Sequence, residues 1–177
     1  MKTILVPLFC VLLSFFVLIT DSNFTNNLLE NNDAKEPTKQ LIKHFFFLEP
    51  MPQIFDAQEQ SHLNDVSVLI RIALIVFAII CGLLLYLKPN ARTIYYGAGL
   101  LTAVLLLLAL LPFDKLFTSF HQVFFPQGNW QFALDSTLIQ FYPFTFFMKY
   151  AAFIAIYSLL IALFLCTFAF FSTRNKQ

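Results

Sequence analysis

Four stretches of this sequence, Thr3–Thr20, Val68–Leu87, Ile94–Leu111 and Ala151–Phe171, are apolar for long enough to cross a hydrocarbon layer. Such a crossing takes roughly 17 to 25 helical residues. Lipid offers no hydrogen-bond partner to a backbone N–H or C=O, so spans of this kind must be helices. The sequence therefore predicts an all-α membrane protein of four transmembrane helices, with residues 1–177 forming a single integral membrane domain. Two extracytoplasmic loops, residues 21–65 and 112–149, are expected to contain short interfacial helices. Composition agrees: 59% of residues are hydrophobic and 12% are charged, where a soluble domain carries about a quarter charged.

The first run is read as an uncleaved span. Its apolar core exceeds the roughly 7–15 residues of a signal peptide, and Leu18-Ile19-Thr20 offers no small-x-small cleavage site. Lys2, the turn Lys88-Pro89-Asn90-Ala91-Arg92 and the segment Arg174-Asn175-Lys176-Gln177 fall on one side and contain no acid; the ten Asp and Glu residues fall on the other. Basic density beside the spans favours both termini and the short turn being cytoplasmic in a multi-pass membrane protein. A net charge of +1 gives no basic footprint for nucleic acid. Cys10, Cys81 and Cys166 sit inside apolar runs and form no zinc or redox spacing. The chain contains no Gly-rich phosphate loop, nucleophile elbow, HExxH or lipobox. No cofactor is called for; the spacing supplies no metal signature, which leaves a metal held by His62, His121 and an Asp only as an open alternative, and the membrane itself is the partner the spans require.

The loops are too apolar for solvated connectors. Asp21 to Gln40 is polar and asparagine-rich and reads as a tract with little fixed structure. His44–Phe55, "HFFFLEPMPQIF", reads as a segment lying on the bilayer surface. As a helix, Phe113, Leu116, Phe117, Phe120 and Phe124 form one apolar stripe, with Asp114, Thr118 and His121 on an adjacent face. Such a helix lies about 5–10 Å into the headgroup boundary, the depth of glycerolipid ester carbonyls. Trp130 supplies an interfacial anchor. His62 precedes the second span by a few residues and reaches the same layer if that helix starts near Ala57. A single interfacial histidine is an ordinary amphipathic filler, whereas two at one depth beside carboxylates make a candidate site. Asp65 or Asp114 would orient an imidazole by accepting a ring N–H. Arg71, about one turn inside the span, either snorkels outward or grips an anionic or carbonyl oxygen. His44 is read as structural.

"SHLNDVSVLI" (Ser61–Ile70), then a helical hairpin, then "FDKLFTSFHQVFFPQGNWQFALDSTLIQFYPFTFF" resembles a bacterial four-span family of integral membrane proteins that includes the lipoprotein intramolecular transacylase. The resemblance runs over roughly Gln58 to Met148. It implies that His62 and His121 are the catalytic pair, and that Asp65, Trp130, Asp135, Tyr142 and Pro143 are motif positions. It further implies the activity: transfer of an sn-2 acyl chain from a diacylglyceryl-cysteine to that cysteine's own α-amino group, with diacylglyceryl lipoproteins or membrane lipid as partners. The residues alone leave two alternatives open: a non-catalytic membrane chaperone or subunit, and an outer-face lipid hydrolase or acyltransferase with another substrate.

Overall fold

The structure is a computed structural model that describes residues 2–174. Positions 175–177 of the basic C-terminal segment lie outside the described residues. Among the described residues eight α-helices follow one another: α1 (Lys2–Thr20), α2 (Ser22–Leu28), α3 (Lys35–Phe45), α4 (Ala57–Leu87), α5 (Ala91–Ala109), α6 (Phe113–Phe124), α7 (Thr137–Phe141) and α8 (Phe144–Arg174), with one 3-10 turn at Asn32–Ala34. No β-strand forms among the described residues. Helices α1, α4, α5 and α8 are long and apolar enough to cross a membrane, as the four runs require. The chain divides into two compact units, one of Met1–Val17, Ile75–Leu111 and Ala152–Gln177, the other of Leu18–Leu74 and Pro112–Ala151.

The first unit is built from the spans. Val6, Cys10, Leu101 and Ala162 form its buried core. The Ser14 and Ser158 hydroxyls meet at 2.8 Å, and each also donates to its own helix, Ser14 to Val11 O and Ser158 to Ile154 O. Small hydroxyl residues join helices in this way where lipid cannot compete for the bond. Lys2 Nζ donates to the Leu87 carbonyl, satisfying one of the open acceptors at the end of α4. Asn90 caps the start of α5 by accepting from Thr93 N. The outward faces are apolar, Ile75, Ile79, Leu83 and Leu85 all being exposed.

The second unit corrects one expectation. The tract from Asp21 to Gln40 is helical through α2, the 3-10 turn and most of α3. Asp21 caps α2 by accepting from Asn23 N and Phe24 N. Thr25, Leu28, Ala34, Thr38 and Leu41 are buried, so tertiary packing supplies the order that polar composition argued against. The 44–55 segment is divided between two environments rather than lying on one: Phe47 and Leu48 stand outward while Met51, Pro52 and Phe55 are buried. Helix α4 starts at Ala57, before the apolar run, with a capping box: Asp56 Oδ1 accepts from Glu59 N, and Glu59 Oε2 accepts from Asp56 N.

Gly97 of α5 permits close helix packing. A Cβ there would stand 2.6 Å from Val6 Cβ and 3.0 Å from the Thr3 carbonyl oxygen, whereas one at Gly99 would meet nothing within 4 Å. Gly97→Ala is therefore expected to destabilise the protein by about 1–3 kcal/mol through overpacking, seen as a lower unfolding temperature in detergent. Gly99→Ala leaves that temperature unchanged or raises it.

Candidate active site

Two histidines from distant parts of the chain meet in the second unit. The His62 and His121 ring centroids are 5.9 Å apart with an interplanar angle of 29°. Both side chains are buried, with relative exposures of 6% and 9%. Aromatic rings enclose them. Phe125 and Phe132 pack on His62 at 4.8 and 5.6 Å. Phe117, Trp130 and Phe125 pack on His121 at 4.2, 4.9 and 5.6 Å.

Local structure explains how α6 delivers its ring. His121 turns inward beside Phe117, while Phe120, Val123 and Phe124 of the same helix are exposed. The apolar stripe is thus divided: Phe113, Leu116 and Phe117 are half-buried, the first and last packing on Phe144, whereas Phe120 and Phe124 stand outward. The buried His121 ring needs a partner for its N–H that the surrounding aromatic rings do not supply. That partner is one helical turn back: His121 Nδ1 and the Phe117 carbonyl oxygen are 2.8 Å apart. A neutral ring donating Nδ1–H to this carbonyl keeps the Nε2 lone pair free. Burial pushes the His121 pKa below the ordinary histidine value, with the Phe117 carbonyl opposing part of that shift.

A turn after α6 closes the site. Gly128 N donates to Phe125 O, and Gly128 has φ +79°, a conformation glycine adopts at no steric cost. The turn aims two amides at α4. Gln127 Nε2 and Asn129 Nδ2 each donate to Asp65 Oδ2 at 2.7 Å, and Asn129 Nδ2 also reaches Ser61 Oγ at 3.3 Å. Asp65 was expected to accept from an imidazole; instead its carboxylate holds the turn, since the two amide donors occupy it.

The other candidates fall elsewhere. Asp114 is exposed and forms no hydrogen bond with either ring, being two helical turns from His121. Asp135 is exposed, and its backbone carbonyl accepts from the Gln140 side chain. Tyr142 is buried with its hydroxyl 2.7 Å from Thr38 Oγ1, and burial pushes the phenol up to about 12. The Arg71 guanidinium donates to the carbonyls of His44 and Phe45 and lies 3.5 Å over the Phe47 ring. It closes the C-terminus of α3, a favourable place for a cation. Pro143 adjoins the start of α8. No group of three His, Cys, Asp or Glu side chains that could hold a metal gathers among the described residues.

Glu59 was missed in the sequence. It is 1% exposed; besides capping α4, its Oε1 accepts from Leu138 N at 2.7 Å. The signal was present as Asp56-Ala57-Gln58-Glu59, an acid followed three residues later by glutamate ahead of an apolar run. Asn129 was passed over as well.

Fold and site together define a four-span helical membrane protein with a buried histidine pair suited to proton transfer. The chain belongs to the lipoprotein intramolecular transacylase family, Lit, whose family model matches residues 1–147. Two solved structures of the membrane integral lipoprotein intramolecular transacylase Lit from Bacillus cereus share its fold. One has a histidine replaced by arginine and the other by alanine, and their TM-scores to this chain are 0.62 and 0.64. Each is 18% identical; the alignments cover 99% of this chain and 92% and 91% of theirs. Among curated proteins none matches.

Because burial disfavours the imidazolium, His121 is expected to titrate below the ordinary histidine value of about 6.5. NMR titration of ring-labelled histidine in lipid nanodiscs checks this, and a midpoint at or above that value contradicts it.

Proposed function

We propose that this chain catalyses the reaction its family is named for, moving an sn-2 acyl chain from the glyceryl group of a diacylglyceryl-cysteine lipoprotein to that cysteine's α-amino group. The observation that carries the reading is the pair of buried imidazoles 5.9 Å apart, one of them held by a backbone carbonyl with Nε2 free to accept a proton. Donor ester and acceptor amine belong to one anchored molecule, so proximity is supplied largely by the substrate. An ester is an activated acyl donor, which leaves proton handling as the protein's task.

The α-amino group, with a pKa near 8, is about one-tenth neutral at pH 7. In its neutral form it attacks the ester carbonyl. The new C–N bond forms as His121 Nε2 takes the amine proton; the C–O bond to the glyceryl oxygen then breaks as that proton is returned to it. No net proton is consumed. His62 shares the proton handling across the pair. Trp130 and the phenylalanines exclude water, Asp65 holds the 127–129 turn over the site, and Tyr142 braces the scaffold. The charge pattern favours both termini lying in the cytoplasm and the site on the opposite side; the proposed substrate, a lipoprotein anchored in the outer leaflet, would put the protein in the cytoplasmic membrane.

Mass spectrometry of lipoprotein N-termini tests the assignment. Cells containing the protein are expected to yield lyso-glyceryl, N-acylated peptides that are absent without it. His121→Ala and His62→Ala are each expected to slow the transfer about 10²–10⁴-fold while the variants remain folded and inserted. Unchanged peptides from either folded variant would overturn the two-histidine mechanism.

A further inference from the structure

Two buried polar atoms of the site lack a hydrogen-bond partner: His62 Nδ1 and Asn129 Oδ1. They are complementary, since a ring Nδ1–H donates and an amide oxygen accepts. The amide that carries Oδ1 is held from its other end. Asn129 Nδ2 donates to Asp65 Oδ2 at 2.7 Å and to Ser61 Oγ at 3.3 Å. Ser61 and Asp65 are four residues apart on α4, and His62 projects from the turn between them. Asn129 therefore spans the backbone turn that bears one of the two imidazoles. Rotating the amide by half a turn would exchange its charge-assisted bond to Asp65 for an oxygen facing a carboxylate, so the orientation is fixed.

We propose that Asn129 is a positioning residue for the transfer reaction: pinned by Asp65 and Ser61, its side-chain oxygen accepts the Nδ1–H of His62 and so decides which ring nitrogen faces the substrate amine. The inference rests on the two-histidine reading of the site. It gives both rings the same form, for His121 already directs Nδ1 to the Phe117 carbonyl. Each ring then turns an Nε2 lone pair to the substrate. A neutral primary amine has two N–H bonds, and two such acceptors orient it. One of them, on His121, takes the proton; the other, on His62, aims the nitrogen lone pair at the ester. Asp65 thereby acts on His62 through an amide rather than by direct contact. The charged or titratable groups acting on His62 are Asp65 on its own helix and His121 on α6.

The test uses the full-length protein in lipid nanodiscs with ring-¹⁵N histidine. Wild-type His62 is expected as the Nδ1–H tautomer; finding it as Nε2–H overturns the proposal without any variant. Asn129→Leu removes the acceptor and is expected to shift His62 toward Nε2–H. On a synthetic diacylglyceryl-cysteine lipopeptide, the same variant lowers kcat by at least tenfold with KM little changed. The exchange variant Asn129→Asp with Asp65→Asn keeps a donor–acceptor pair between the two positions and an acceptor facing His62, and should restore the Nδ1–H signal and part of kcat. Asp65→Asn, which loosens the amide's anchor, serves where Asn129→Leu does not fold and should give the same tautomer change. An unchanged His62 tautomer in the folded variants overturns the relay even if both histidines prove essential. Full activity of His62→Ala would instead overturn the mechanism beneath it.

Discussion

The structure depends on α4 being longer than a hydrocarbon layer needs. At 31 residues it extends about 46 Å, against a core of about 30 Å. The surplus must be started and held as a helix without an apolar surrounding to enforce it. The Asp56–Glu59 box does this by exchanging side-chain and backbone bonds at the first turn. Glu59 then goes further and closes the head of α7 through Leu138 N. One buried carboxylate thus sits at the positive ends of two helices, where its charge is favoured. His62 follows one turn later, so its placement is inherited from that cap.

The second constraint is the dryness of the site. Five aromatic side chains, Phe117, Phe120, Phe125, Trp130 and Phe132, pack around two rings that would be charged or neutral with equal ease in water at slightly acid pH. Desolvation favours neutrality, and a neutral imidazole with one nitrogen committed to a carbonyl has a single basic atom left. The same low-dielectric surroundings strengthen every remaining dipole. That arrangement suits a reaction in which a proton is borrowed from an amine and returned to an alcohol oxygen within one enclosed step.

Polar side chains elsewhere in the second unit serve the scaffold. Arg71 closes α3, Tyr142 joins Thr38, and Lys149 reaches Glu30. Arg71 shows one way to settle a guanidinium near a span's end: the charge is costly in lipid, and open carbonyls at a helix terminus accept its hydrogen bonds. The tract from Asp21 to Gln40 is ordered against expectation. Its composition is that of a disordered segment, yet Thr25, Leu28, Ala34 and Thr38 are buried, which no local pattern announces.

The sequence by itself determined that four segments are membrane-length helices, that α4 begins near Ala57, and that His62 and His121 share a layer. Length and apolarity decide the first, because lipid admits no unsatisfied backbone. The second and third follow from counting turns back from the apolar run. Only the tertiary structure decided which face of α6 turns inward, since apolarity marks protein core and lipid surface alike. Only it could show that Asp65 binds Gln127 and Asn129 rather than an imidazole. Those bonds join residues more than sixty positions apart, through a turn whose direction Gly128 sets and whose destination no local spacing contains.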